Sequence, residues 1–293
     1  MKKPIFKGSA VAIITPFTSN GIDHDKLAEL CEFQIKNNTK AIIVAGTTGE
    51  ASTMPDDEHL DAIRFVVQTV NGRIPVVAGT GSNDTAHAIF LSQRAADLGA
   101  DALLSVTPYY NKTSQEGLYL HYKAIAEATD LPVILYNVPG RTGLNINPET
   151  MARLSQLPTI NAVKECRIEQ AAEAASLCGE SLNLYSGEDA MVLPMLSLGG
   201  LGVISVIANV VPNLTSQMVD HFFNGEISAA TRLQVRLIPL IKALFCDVNP
   251  IPVKAALNLM GMAVGKCRLP LCDTSEKNLD IIRRALADLD LLP

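Results

Sequence analysis

The most reactive feature of this sequence is a lysine that closes an apolar run. Lys164 follows Asn161-Ala162-Val163, and a lysine desolvated at the end of a buried strand keeps more of its amine uncharged and able to attack a carbonyl. Tyr136 ends the preceding apolar run, 132–136, and a phenol beside that amine can carry protons to and from a carbinolamine oxygen. Gly46-Thr47-Thr48-Gly49-Glu50 is a glycine-flanked turn whose hydroxyls and amides are free to hold a small carboxylate. Arg141, after the Pro139-Gly140 turn, can grip a second carboxylate through two N–H groups. Each residue alone has a plainer use: a snorkelling or ion-paired lysine, a packing tyrosine, a turn leading into a helix, a solvated arginine. Together they describe Schiff-base chemistry on a small keto acid.

Positioning such groups requires a scaffold that brings several strand ends together. Apolar, β-branched runs at 10–16, 41–45, 75–79, 102–106, 132–136, 160–164, 182–186 and 203–207 recur roughly every 20 to 35 residues, continuous rather than alternating, as in parallel strands covered outside and packed within. Amphipathic helical patterns at 25–36, 56–70, 84–98, 114–128 and 148–154 fill the gaps, several of them preceded or opened by Asp or Ser. Eight such units predict an α/β fold, a (β/α)8 TIM barrel spanning 1–223, with a doubly wound open sheet as the alternative. No G-x-G-x-x-G follows any strand, so a dinucleotide fold has no specific support. Residues 224–293 then read as a C-terminal helical appendage with helices at 226–245, 253–262 and 275–289, used for packing or assembly. In a barrel, chemistry collects at the C-terminal ends of the strands. That rim is rich in hydroxyls and glycine and has no His or clustered Asp, so a dedicated metal site is not expected.

Composition narrows the class. The chain has 293 residues, 48% hydrophobic, with a formal net charge of −6, which provides no basic footprint for nucleic acid or an anionic membrane. The six cysteines form no C-x-x-C pair and read as reduced thiols of a cytoplasmic protein. The N-terminus lacks an apolar stretch long enough for a signal peptide. The uncharged stretch 190–219 is interrupted by Gly199, Gly200, Gly202, Asn209, Pro212 and Asn213. It reads as a short helix, a glycine turn and a buried strand rather than a membrane span.

Four motifs in order carry a resemblance: Gly46-Thr47-Thr48-Gly49-Glu50, Thr107-Pro108-Tyr109-Tyr110-Asn111, Tyr136-Asn137-Val138-Pro139-Gly140-Arg141-Thr142-Gly143 and Lys164-Glu165. The chain resembles the 4-hydroxy-tetrahydrodipicolinate synthase (dihydrodipicolinate synthase) family of pyruvate-dependent aldolases, from about Gly8 to the final helices. The resemblance implies condensation of pyruvate with aspartate semialdehyde in lysine biosynthesis, requiring no metal or external cofactor. It makes Lys164 the Schiff-base residue and Tyr136 its proton carrier, with Thr47 linking Tyr136 to a Tyr110 contributed by a neighbouring subunit. It assigns Thr48 to the pyruvate carboxylate, Arg141 to the semialdehyde carboxylate, and Gly187 and Ile204 to the pyruvate pocket. A homotetramer, a dimer of tight dimers, is the implied assembly. The family's regulatory lysine cleft maps to Ala51, Ser52, His59, Asn83, His87 and Tyr109, although lysine-sensitive members often have serine where Ala51 stands and glutamate where His87 stands.

Two other readings remain open at this level. One is a related aldolase acting on a sugar-derived aldehyde, against which Arg141-Thr142-Gly143 and the second threonine of the turn speak. The other is a barrel retained for ligand binding, which would have no need of Lys164, Tyr136, Thr47 and Tyr110 together.

Overall fold

The computed structural model describes residues 2–293. After strand β1 (Gly8–Ala12) comes a small antiparallel hairpin, β2 (Phe17–Thr18) and β3 (Gly21–Ile22). The remaining strands are β4 (Ala41–Val44), β5 (Val76–Gly79), β6 (Ala102–Val106), β7 (Val133–Asn137), β8 (Ile160–Glu165), β9 (Asn183–Ser186) and β10 (Gly202–Ser205). β1 and β4–β10 pair in parallel, and β10 returns to β1, closing an eight-stranded barrel. Closure removes the open-sheet alternative, and this is the TIM barrel expected from the strand spacing.

Alternation along the strands sorts the core into two layers. Ala10, Ile43, Val77, Leu104, Ile134, Tyr136, Ala162, Tyr185 and Ile204 pack together inside the barrel. Val11, Ile42, Val44, Leu103, Leu135 and Val163 face outward and pack with the helices. Four of the helices expected at 25–36, 56–70, 84–98 and 114–128 are found as His24–Lys36, Asp56–Val70, Thr85–Asp97 and Gln115–Glu127. Asp23, Asp84 and Ser114 cap three of them by accepting a backbone N–H.

One irregularity matters for the site. Val133 pairs with Ile160, but Ile134 pairs with Ala162, so β8 carries one residue more than β7 at Asn161. A bulge of this kind reverses the alternation. Ile160 accordingly joins the outer layer and Ala162 the inner one, although the two stand only two apart in sequence. The bulged Asn161 is fastened by its side chain, which donates to the Lys3 carbonyl at 3.0 Å and accepts from Asn183 at 3.0 Å.

The stretch 190–219 holds the short helix Val192–Ser197, strand β10 and the start of helix Pro212–Phe223. Among the described residues no helix is long and apolar enough to cross a membrane. The C-terminal segment carries helices Ile227–Leu244, Ile251–Leu259 and Glu276–Ala287. It is fastened to the barrel rim: Lys254 and Glu50 form an ion pair at 2.5 Å, and the Arg268 backbone N–H donates to the same carboxylate at 2.9 Å.

Candidate active site

The bulge in β8 turns Lys164 into the barrel, directly across from Tyr136 on β7. Both side chains are buried, and Lys164 Nζ lies 4.3 Å from the centre of the Tyr136 ring. Burial pushes the Tyr136 phenol above its ordinary range, while the Lys164 and Arg141 cations and a side-chain hydrogen bond with Thr47 pull the other way. A phenol held protonated beside an amine is a proton donor in waiting.

Tyr136 forms part of the wall of a cavity of about 550 Å³ at the C-terminal mouth of the barrel. Thr47, Tyr109, Val138, Arg141 and Thr142 share that wall. Thr48 lies behind it, buried, and its hydroxyl accepts a hydrogen bond from Asn249 Nδ2 at 2.9 Å. Arg141 donates to the Asn249 carbonyl at 3.4 Å. Asn249 therefore touches both residues expected to hold carboxylates, a link the sequence reading did not anticipate. Its only local signal was the proline-rich run Asn249-Pro250-Ile251-Pro252, read as a helix break.

Gly187 lies against Lys164, and Ile204 belongs to the inner layer that holds Tyr136. A Cβ on Gly187 would lie 2.4 Å from Cys166 Sγ and 3.2 Å from Lys164 Cγ, so only glycine fits there. Ile204 is fully buried in the inner layer with Tyr136 and Tyr185. Glu188 and Asp189 follow Gly187, and burial raises both carboxyls. Asp189 Oδ2 accepts the backbone N–H groups of Val206 and Ile207 at 3.0 and 3.1 Å, which holds the end of β10.

Tyr110 stands apart. It is 92% exposed, outside the cavity wall, with a left-handed φ of 69° that a bulky residue rarely adopts. Within this chain it does not meet Thr47 or Tyr136.

Of the residues mapped to a lysine cleft, Ala51, Ser52, His59, His87 and Tyr109 line the same cavity as Tyr136, and Asn83 does not. His59 bonds the Gly79 carbonyl at 2.7 Å, and its burial holds the imidazole below its ordinary range. His87 bonds Asp56 at 3.0 Å. Asp56 also lines the cavity, and it places a carboxylate at this end that sequence reasoning had not included.

The family model described as the Dihydrodipicolinate synthetase family matches residues 5–289. The chain is 58% identical over 292 residues to the 4-hydroxy-tetrahydrodipicolinate synthase of Acetivibrio thermocellus, covering 100% of both chains. Its structure is similar to that of dihydrodipicolinate synthase from Aquifex aeolicus, with a TM-score of 0.96 and 42% identity, covering 98% of this chain and 99% of that one. The enzyme from Cyanidioschyzon merolae, solved with lysine bound, gives a TM-score of 0.95 and 42% identity over 99% of this chain and 100% of that one.

Proposed function

This chain belongs to the dihydrodipicolinate synthetase family, and from that premise we propose that it condenses pyruvate with L-aspartate 4-semialdehyde to give 4-hydroxy-tetrahydrodipicolinate, the cytoplasmic entry to lysine and diaminopimelate synthesis. The observation that carries the reading is Lys164 facing Tyr136 inside the barrel mouth, beside a cavity that Arg141 also lines.

The Lys164 amine adds to the pyruvate ketone, and Tyr136 gives a proton to the developing oxygen so that water leaves. The resulting iminium withdraws electrons, a methyl proton is lost, and an enamine forms. Its carbon attacks the aldehyde of the second substrate, whose carboxylate pairs with Arg141. The substrate's own amine then adds to the imine carbon and displaces Lys164 as the ring closes. Thr48, with the amides of its turn, holds the pyruvate carboxylate, and Gly187 and Ile204 shape the space around the methyl group.

The arrangement also supports assembly. An exposed tyrosine held in a left-handed conformation suits a residue that completes a neighbour's site, so we assign Tyr110 to the Thr47–Tyr136 pair of a partner subunit in a homotetramer built from tight dimers. At the other end of the cavity, Asp56, His59 and Tyr109 offer an anionic and aromatic lining for a cationic ligand. Millimolar lysine should therefore slow turnover, and an unchanged rate would reject that extension.

The direct test follows pyruvate consumption against a panel of aldehydes, with wild type and Lys164→Ala. Turnover with aspartate semialdehyde alone, lost in the variant, is expected. Turnover with a sugar-derived aldehyde instead would keep the Schiff base and move the protein to the related lyases. No borohydride-trapped pyruvate adduct at Lys164 would sink the reading.

A further inference from the structure

Glu165 follows Lys164 on β8, and Asn137 follows Tyr136 on β7; the two are register partners, as the catalytic pair is. Strand alternation puts them on the outer side of the barrel, where Glu165 is only 1% exposed. A carboxylate buried this deeply is costly unless its oxygens are matched. Here they are. Asn137 Nδ2 lies 2.9 and 3.0 Å from the two oxygens, Gln170 Nε2 donates to Oε2 at 2.8 Å, and the Arg167 backbone N–H donates to Oε1 at 2.6 Å.

The same side chains hold the chain that follows β7. Asn137 Oδ1 accepts the Ile146 N–H at 2.9 Å, and Gln170 Nε2 donates to the Ile146 carbonyl at 3.1 Å. Asn145 Nδ2 donates to Gln170 Oε1 at 2.9 Å, and Asn137 Nδ2 donates to Asn145 Oδ1 at 2.9 Å. The loop between Asn137 and Ile146 carries Arg141. One carboxylate thus closes a network spanning the ends of two catalytic strands and the root of the arginine arm.

We propose that Glu165, as its carboxylate, is a positioning residue for the condensation: it fixes Asn137, and so Tyr136, against Lys164 and anchors the arm that presents Arg141. The inference rests on the Schiff-base reading above. Every partner of Glu165 is an N–H donor, so a carboxamide or a protonated acid must turn a hydrogen toward a donor and lose a bond. Burial pushes this carboxyl from its usual 4.5 up to about 7, against the opposing pull of Gln170, the Arg167 N–H and Asn137. The other titratable groups bearing on it are the Arg167 guanidinium, which is paired with Glu169, and the Cys166 thiol, pushed up to about 12 and neutral at working pH.

The experiment compares wild type with Glu165→Gln in steady-state kinetics, pH profile and borohydride trapping with pyruvate. Glu165→Gln should still form the adduct at Lys164, with kcat lowered about ten- to a hundredfold and KM for the semialdehyde raised. In wild type, kcat should fall as pH drops through about 7, and that limb should vanish in the variant. A variant with wild-type kcat and an unchanged acid limb would overturn the proposal. If Glu165→Gln does not fold, Asn137→Ala replaces it, removing the amide that joins Glu165 to the Ile146 N–H, and wild-type kcat and semialdehyde KM in that variant overturn the proposal. Absence of an adduct in wild type would instead sink the Schiff-base reading, and this inference with it.

Discussion

Tyr136 stands across from Lys164 because β8 has one more residue than β7, and that extra residue is Asn161. Counted without the bulge from Ile160, which faces outward, Lys164 would face outward too. Lys164 is aimed by an irregularity below it, fastened to Lys3 and Asn183 at the opposite end of the strand.

Removing that fastening should be felt at the active site. Asn161→Ala loses two side-chain hydrogen bonds in a nearly buried position, which costs about 1–3 kcal/mol of stability. Chemical denaturation should show the loss. Kinetics at full folding should show a lower kcat, because the bulge no longer has a single geometry. An unchanged kcat would mean that the barrel alone sets the direction of Lys164.

Tyr136→Phe separates proton transfer from nucleophilic attack. The ring stays beside Lys164 and only the hydroxyl is lost. A fall in kcat of about 10²- to 10⁴-fold is expected, with slower but detectable trapping of pyruvate at Lys164. Mass spectrometry of the reduced adduct and steady-state rates together check it.

Arg141→Lys keeps the charge and removes the planar fork. If Arg141 grips the semialdehyde carboxylate, kcat/KM for that substrate should drop about tenfold or more. The rate of pyruvate adduct formation should stay near wild type. A loss confined to the pyruvate half-reaction would assign Arg141 elsewhere.

The Glu50–Lys254 pair ties the motif turn to the C-terminal helices with both side chains essentially inaccessible. Lys254→Met strands a buried carboxylate and should cost about 3–5 kcal/mol, read from denaturant unfolding. Adding Glu50→Gln should cost less than the two single changes summed, because the uncompensated charge is gone.

His121 gives a pH dependence of known sign. It is buried beside Thr85, which it bonds at 2.9 Å, and burial depresses its imidazole from 6.5 to about 4. The unfolded chain takes up that proton first as pH falls. Stability from this group is therefore present above about 6.5 and is lost as pH falls through about 4. His121→Gln should show a shallower fall in Tm over that window than wild type, measured by thermal scans at several pH values.

Much of this was written in local pattern. Strands buried on both faces read as continuous apolar runs, and helices packed on one side read as amphipathic, so the barrel was visible before its coordinates. Lys164 and Tyr136 could be placed on strands by the apolar runs before them, and Thr47 and Arg141 by the glycine turns beside them. Helix Pro212–Phe223 was not, since it opens in an uncharged stretch where the polar face that marks periodicity is faint.

What tertiary structure decided was direction and support. Period-two alternation predicts faces only in a regular strand, and the Asn161 bulge resets it through contacts with residues 158 and 22 positions away. Asn249 reaches Thr48 across 201 positions, and Lys254 finds Glu50 from the same C-terminal segment. Glu165 sat beside Lys164 in the sequence, but its proposed role depends on which donors the loop and the following helix bring over it. Local sequence encodes which residues can react; closure of the barrel determines which of them meet, because only closure brings distant strand ends within hydrogen-bond reach.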